Sequence, residues 1–245
     1  MLALKYLRHG EPKDVIALAP VKTALLKEQE LLIDMVAAPV HDHDLWTIRG
    51  LYGLSSALPA IGGSEAVGIV SAVGSTSLSH FVGHRVNAKG HGTWAGKFVS
   101  TADTILVVPE RINDEAASQL VSMPFAASSL LRTLGLERGD WLIQNAANGA
   151  VGTAIHALGQ RRGIKVLNLV RSEKAARQLD ALGMRPVLRT DDPEWVAQGR
   201  SIVGDVGARA AVDSIGGKSP NALLSLLGVK ATLAVFGSVS GTPMV

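Results

Sequence analysis

A short glycine-containing stretch has the residue types and spacing of a ligand-binding turn. Asn145–Gly159 reads NAANGAVGTAIHALG and follows the apolar run WLIQ directly. A strand, a tight turn and a helix in this order present backbone N–H groups to the pyrophosphate of a dinucleotide. Gly149 lets the backbone approach the ligand, and Gly152 lets the helix pack closely against the strand. The residues that we predict to contact the dinucleotide here are Asn148, Gly149, Ala150, Val151 and Gly152.

This turn departs from the usual G-x-G-x-x-G pattern at its first glycine, where the chain has Ala147. Alanine can stand there if the backbone avoids a positive φ. Small residues at this spacing also serve plain helix packing, so packing without a ligand is the alternative interpretation. The strand, turn and helix context favours the dinucleotide.

The end of the following strand indicates which dinucleotide binds. An NAD site places Asp or Glu about 20 residues further on, where the acid binds the ribose 2′-hydroxyl. The segment NLVRS places Arg171 there instead, with Ser172 at the cap of the next helix, and eight Lys or Arg lie between Arg161 and Arg189. A guanidinium binds a 2′-phosphate through paired hydrogen bonds. We therefore predict NADPH, bound by Arg171 and Ser172; the alternative is that Arg171 is only a surface turn residue.

The elements around these residues indicate an α/β fold. Before residue 109 the chain has short apolar or alternating runs separated by turn residues, which is typical of a small β domain. These runs are Glu30–Ala38, Glu65–Gly74, 84–89 and 96–100. From Trp141 onward strands and helices alternate, and near-continuous apolar strands predict a parallel sheet covered on both faces. We place the domains at 1–112 and 113–245.

Composition narrows the class of protein further. Hydrophobic residues make up 47% and charged residues 18% of the 245 residues, which indicates a compact globular protein. No apolar run approaches the ~18 residues of a membrane span, and no secretory signal is present, so we expect a cytoplasmic protein without a membrane partner. The net charge is +3, but basic and aromatic residues are not interleaved along the chain, which argues against nucleic-acid binding.

Metal chemistry is also disfavoured by the sequence. The chain has no cysteine, which excludes thiolate zinc ligands and a thiol nucleophile. The segment HDHD, His41–Asp44, offers two histidines without a third convergent ligand, and such residues are more often polar loop residues. We predict no metal site.

Taken in order, six segments resemble the medium-chain dehydrogenase/reductase superfamily: PAIGGSEAVGIVSAVG, VGHRV, GTWAGKFVS, NAANGAVG, DSIGG and FGSVSG. Within it they best match the zinc-free branch of quinone oxidoreductases and 2-enoyl thioester reductases. RGLYGLSSALPAIGG looks particularly like the trans-2-enoyl-CoA reductases of mitochondrial-type fatty acid synthesis. The resemblance covers nearly the whole chain. It implies a GroES-like domain joined to a Rossmann domain, with NADPH in the cleft between them.

The branch differs from its zinc-dependent relatives at two positions. Those relatives have a histidine before the glutamate, where this chain has Ser64 before Glu65, and a cysteine ligand roughly where His41 stands. The zinc-free branch often has Asn-Pro-Ser-Asp at this point, and only Asp44 of that motif is retained here. Any family contact made by that asparagine is therefore in question.

The resemblance implies an NADPH-dependent reductase of conjugated C=C bonds, with trans-2-enoyl thioesters as the leading substrates. That reaction needs a hydride at Cβ, a proton at Cα and stabilisation of the enolate oxygen. In the enoyl reductases a tyrosine in the loop matching GLYG supplies the hydroxyl, which makes Tyr52 the candidate acid. A half-buried aromatic at a loop edge is its alternative role. The resemblance also implies cofactor contacts at Gly216, Gly217, Phe236 and Gly237.

Two other functions stay open from the sequence. One is reduction of quinones or other α,β-unsaturated carbonyl compounds in the same branch. The other is a truncated, catalytically silent nucleotide-binding or interaction protein.

The number of strands after Trp141 is one short of a complete Rossmann domain. Such a domain has six strands in the order 3-2-1-4-5-6. We count five, beginning at Trp141, Lys165, Arg185, Ala208 and Lys230. We expect a doubly wound sheet that lacks its last strand and the C-terminal return to the first domain. Full-length relatives are expected to be homodimers, because that edge strand commonly pairs between subunits.

Overall fold

The computed structural model describes residues 1–23, 25–53 and 56–242. The chain divides into two compact units, Met1–Ser122 and Met123–Val245. Within the described ranges no helix has the length and hydrophobicity that crossing a bilayer requires.

The first unit consists mainly of antiparallel β structure. Its strands are β1 (Leu2–Tyr6), β2 (Ala17–Pro20), β3 (Glu30–Ala37), β4 (Ala60–Ile61), β5 (Glu65–Val73), β6 (Arg85–Lys89), β7 (Lys97–Thr101) and β8 (Ile105–Val107). They form a three-stranded sheet of order β2-β1-β4 and a five-stranded sheet of order β7-β3-β5-β6-β8. Its helices are α1 (Pro12–Val15), α2 (Asp42–Arg49) and α3 (Asp114–Ala117), with 3-10 turns at Thr76–Phe81 and Ala102–Thr104.

Alternating side chains give this unit its core. In β7 every second residue is buried, so Phe98 joins a cluster with Leu31, Ile33 and Val86 of the same sheet. A second cluster contains Tyr6 of β1 and Ile48 of α2. The runs predicted as strands at Glu30, Glu65, His84 and Gly96 all form strands that begin and end within one residue of those bounds.

The second unit is a parallel sheet with helices on both faces. Its strands are β9 (Trp141–Gln144), β10 (Lys165–Val170), β11 (Val187–Arg189), β12 (Ala208–Asp213) and β13 (Leu227–Val235). Its helices are α4 (Ser122–Thr133, which starts at the boundary), α5 (Ala150–Arg162), α6 (Glu173–Ala181), α7 (Trp195–Val203) and α8 (Ser219–Leu224). The sheet order β11-β10-β9-β12-β13 is 3-2-1-4-5 in the unit's own numbering. The predicted α/β class is confirmed.

Adjacent residues of β9 show how both faces are covered. Leu142 packs in a cluster with Leu131 of α4 and Ile155 of α5. Ile143 points to the other face and packs with Val203 of α7 and Leu223 of α8. Because both faces are buried, the strand reads as a continuous apolar run.

Two predicted strand starts are wrong. β11 begins at Val187 rather than Arg185, because Pro186 has no N–H to give to the ladder. β13 begins at Leu227 rather than Lys230. Gly228 suggests a turn in the sequence, but it lies within the strand, where a Cβ would be 2.2 Å from the Val206 carbonyl oxygen.

Candidate functional site

The first group of candidate residues lies at the start of α2. The sequence interpretation of His41–Asp44 as a polar loop is wrong: helix α2 begins at Asp42, with His41 as its N-cap. The His41 backbone N–H donates to Asp44 Oδ2 at 3.0 Å, and the acids in the first turn complement the helix dipole. Histidine is not one of the usual N-cap residues, so this helix start is hard to predict from residue types.

Glu65, at the start of β5, is the most connected polar residue of this group. Its buried carboxylate lies 3.1 Å from His41 Nε2 and accepts hydrogen bonds from Asn87 Nδ2 at 2.9 Å and from the backbone N–H groups of Val121 at 2.7 Å and Ser122 at 3.2 Å. Burial by itself raises the pKa of Glu65, but the hydrogen bonds outweigh it and hold that pKa below the usual range.

Tyr52 belongs to the same neighbourhood. Its ring stacks on the His43 ring, with centroids 5.8 Å apart and planes at 30°. His43 Nε2 lies 2.7 Å from the Ser64 hydroxyl oxygen, and the His43 ring stacks in turn on the His41 ring at 5.1 Å. Tyr52 is 44% exposed, so part of its side chain is open to solvent. The other tyrosine, Tyr6, is buried in the core of the first unit.

The same geometry bears on metal binding. The Glu65 oxygens are already engaged by N–H donors, and His41 is held by Glu65. Over the described ranges no three His, Asp or Glu side chains are placed to hold a metal ion.

The glycine turn of the second unit joins β9 to α5. Gly149 is the N-cap of α5, and the first-turn N–H groups, such as those of Ala150 and Val151, have no acceptor within the helix. A Cβ on Gly152 would lie 2.7 Å from the Ala147 carbonyl oxygen, so only glycine allows the helix this close to the turn. Asn148, Gly149 and Ala150 are exposed.

The left-handed residue of this turn is not the one in the first-glycine position. Ala147 is buried and has no positive φ, which satisfies the condition for replacing glycine there. The positive φ of 47° falls one residue earlier, on Ala146. Its N- and C-terminal neighbours are anchored: the N–H of Asn145 donates to Val212 O at 3.3 Å and that of Ala147 to Leu169 O at 3.2 Å.

Two side chains that the sequence did not single out connect the carboxyl ends of β9 and β12. Asn145 Nδ2 donates to Asp213 Oδ1 and, at 2.9 Å, to Ser219 Oγ, while Asn145 Oδ1 accepts from the Ser214 N–H at 2.7 Å. Asp213 Oδ2 accepts from the Gly216 N–H at 2.7 Å. Both residues follow apolar strand residues. Polar residues at the carboxyl ends of parallel strands are the sequence signal that could have identified them as site residues.

The other residues predicted at this edge lie close to that network. Gly216 and Gly217 have positive φ values of 75° and 60° in the loop after β12. The N–H of Phe236 donates to the Asp213 carbonyl oxygen at 2.7 Å, and the N–H of Gly237 to the same oxygen at 3.3 Å. The structure therefore places these four residues beside the end of β12.

Arg171 and Ser172 follow β10, the strand on the other side of β9. Both are exposed, and Ser172 caps α6 by accepting from the Ala175 N–H at 3.4 Å. Within the described residues the Arg171 guanidinium forms no hydrogen bond or ion pair. Glu173 is the nearest acid in sequence, but it pairs with Arg177 at 2.8 Å and with Arg189. The hydrogen bond from Arg177 is the main reason that the pKa of Glu173 is lowered.

Known proteins resemble this chain along its whole described length. The alcohol dehydrogenase GroES-like domain model matches residues 27–110. The mitochondrial enoyl-[acyl-carrier-protein] reductase of Rattus norvegicus is 34% identical over 251 aligned positions, which cover 99% of this chain and 67% of the relative. The human enzyme of the same name is 32% identical with the same coverage.

Two solved structures have the same fold. The Escherichia coli quinone oxidoreductase complexed with NADPH superposes with a TM-score of 0.90 at 25% identity, covering 100% of this chain and 76% of the other. A mycobacterial protein complexed with NADPH gives a TM-score of 0.88 at 28% identity, covering 100% and 76%. The identity and coverage of the reductases, together with these folds, confirm the resemblance inferred from the motifs. The chain belongs to the medium-chain dehydrogenase/reductase superfamily, in its zinc-free branch of quinone oxidoreductases and enoyl thioester reductases.

Proposed function

We propose that this protein is an NADPH-dependent reductase of trans-2-enoyl thioesters, with Tyr52 as its proton donor. The single observation that carries the proposal is the likeness to enoyl-[acyl-carrier-protein] reductases, 34% identical over 99% of the chain. Membership of the zinc-free branch and the NADPH complexes of its structural neighbours support an NADPH-dependent oxidoreductase. The residue assignments below are part of the proposal.

The residues at the carboxyl edge of the second unit's sheet fit a phosphorylated dinucleotide. Gly152 lets α5 start close against the turn, and the first-turn N–H groups of α5 suit a pyrophosphate. The Arg171 guanidinium, which has no partner among the residues that the structure describes, and the capping hydroxyl of Ser172 suit the 2′-phosphate. The glycine turn Asn148–Gly152 would hold the pyrophosphate, and the segments at Gly216, Gly217, Phe236 and Gly237 would border the nicotinamide and its ribose.

NADPH supplies the hydride when it is bound. The task left to the protein is to stabilise the negative oxygen that develops on the thioester carbonyl and to deliver a proton to Cα. The Tyr52 hydroxyl, exposed and without a hydrogen-bond partner in the described residues, can donate such a proton. Burial is the main cause that lowers the pKa of His43 below its usual value, which favours a neutral imidazole against the phenol ring.

Turnover with matched acceptors tests this proposal. NADPH oxidation is followed with crotonyl-CoA and, separately, with a quinone. We expect faster turnover with the thioester. Replacing Tyr52 by Phe removes the hydroxyl but keeps the ring, so it should lower enoyl reduction by about 100-fold, the usual size of a general-acid contribution, with NADPH affinity retained. Unchanged turnover of the Phe variant would remove Tyr52 from the mechanism.

A second candidate function is reduction of a quinone or another α,β-unsaturated carbonyl compound. The observation that favours it is the fold shared with the Escherichia coli quinone oxidoreductase. Preference for the quinone in the same assay would select it. NADPH binding without oxidation by either acceptor would select the catalytically silent alternative. The cytoplasmic location and the homodimer remain predictions.

A further inference from the structure

Among the described residues, the one ring contact of Tyr52 is with His43. In the part of the chain that the structure describes, its hydroxyl has no hydrogen-bond partner, and its only ring contact is with His43 at 5.8 Å between centroids. In the described ranges, apart from its chain neighbours, nothing lies within 4 Å of the position that a Cβ on Gly53 would take. The direction of the phenol therefore depends on what fixes the His43 ring.

The His43 ring is fixed on several sides. Its Nε2 lies 2.7 Å from the Ser64 hydroxyl oxygen and 3.6 Å from Asp44 Oδ1. The His43 ring also stacks on the His41 ring, with centroids 5.1 Å apart, and His41 is bound to the buried Glu65 carboxylate. The His43 backbone carbonyl accepts from the Thr47 hydroxyl at 2.7 Å. Three stacked rings thus lead from a buried carboxylate to an exposed phenol.

We propose that His43 is a positioning residue for Tyr52, and that the Ser64 hydroxyl sets the rotation of its imidazole. The inference rests on the proposed function, because the phenol needs a fixed direction only if it donates a proton. A donor must stay within hydrogen-bond reach of the accepting atom, and a small misplacement of a reacting group lowers the rate strongly. Stacking on a held imidazole supplies that restraint while leaving the hydroxyl free.

Three variants separate stacking from hydrogen bonding. His43→Ala removes both, His43→Phe keeps a ring but loses the bond to Ser64, and Ser64→Ala keeps the imidazole but frees its rotation. We expect His43→Ala to lower kcat for crotonyl-CoA reduction by about tenfold with KM for NADPH unchanged, a rate loss typical of a misplaced group. His43→Phe should recover most of that loss, and Ser64→Ala should fall between.

A double-mutant comparison distinguishes positioning from general damage. If His43 acts through Tyr52, His43→Ala should cost much less in the Tyr52→Phe background than in the wild-type chain, because coupled residues are not additive. An equal loss in both backgrounds would overturn the proposal. Unchanged kcat in His43→Ala would also overturn it.

A spectroscopic measurement tests the ring placement without turnover. The chain has two tyrosines, and Tyr6 is buried, so ring-labelled tyrosine gives two assignable sets of NMR signals. We expect His43→Ala to shift the Tyr52 signals and leave those of Tyr6 in place, with His43→Phe close to wild type. Unmoved Tyr52 signals would overturn the proposal whatever the activity. If His43→Ala gives the expected shifts but the wild-type chain reduces no enoyl thioester, the proposed function alone is overturned.

Discussion

At the end of β10, Arg171 differs from the arginines around it. Arg177 and Arg189 pair with Glu173, whereas Arg171 has no such partner in the described residues. An exposed guanidinium without a partner is ready to bind a phosphate without first losing an ion pair. The basic residues of this region are therefore not equivalent, although the sequence shows them as one charged stretch.

Replacing Arg171 by Ala should weaken NADPH binding by about 10- to 100-fold, the size of a lost hydrogen bond to a charged group, and leave NADH binding unchanged. Calorimetric titration with both cofactors measures the two affinities. Lys174→Ala, an exposed cation three residues away, is the matched control and should have a small effect. An equal loss for NADH would show that Arg171 does not bind the 2′-phosphate.

Glu65 makes the stability of the first unit depend on pH. Its folded pKa lies below the usual 4.5, so the stabilisation is fully present above that value and is lost as pH falls through the folded pKa. Glu65→Gln should lower the free energy of unfolding by about 2–3 kcal/mol at pH 7, since charged hydrogen bonds are lost. The difference from wild type should shrink towards pH 3. Urea denaturation at both pH values measures it; a constant difference would contradict the assignment.

Much of the site at this scale was predictable from residue types, and part was not. The motif resemblance led to Tyr52. The Arg171 guanidinium has no partner in the described residues, as a side chain predicted to bind the 2′-phosphate of NADPH should. The role of each remains a prediction. His41 and His43 were misread, because an N-cap histidine bonded to an acid three residues on has no strong sequence signal. Asn145 and Asp213 were missed because their mutual contact joins residues 68 positions apart.

Among the helices, α5 depends on a glycine at one position. At Gly152 an added Cβ would meet backbone atoms of Ala147, which cannot move aside as a flexible side chain can. Gly152→Ala should therefore lower the free energy of unfolding by about 1–3 kcal/mol, the usual cost of overpacking. Gly149→Ala is the control, since its nearest contact is the Ala146 carbonyl oxygen at 3.2 Å. Equal losses in urea denaturation would contradict this account.

The strands of the second unit were predictable because both of their faces are buried. Residues such as Leu142 and Ile143 pack on opposite faces, which produces the continuous apolar runs. Strand starts were less predictable where a backbone constraint decides them, at Pro186 and Gly228. Helix α2 was not predicted, because its polar first turn resembles a loop.

For the molecule as a whole, β13 is one of the exposed sheet edges. In the sheet formed by the described residues, β13 pairs with β12 on one side and with no strand on the other. Val229 of this strand is 92% exposed. An unpaired apolar edge favours pairing with another chain. We expect concentration-dependent self-association, and Val229→Lys should reduce it; sedimentation velocity measures both. A wild-type chain that stays monomeric at high concentration would contradict this expectation.

The contacts of the Glu65 carboxylate determine which substitutions this part of the chain can accept. It ties together the start of α2, strand β6 and the segment at Val121 and Ser122. A substitution at position 65 must therefore be accommodated in several parts of the chain at once. Ser64, one residue earlier, forms a side-chain hydrogen bond with His43 and no other within the described part of the chain. A substitution at position 64 is therefore expected to alter the setting of His43 while the contacts of the Glu65 carboxylate are preserved.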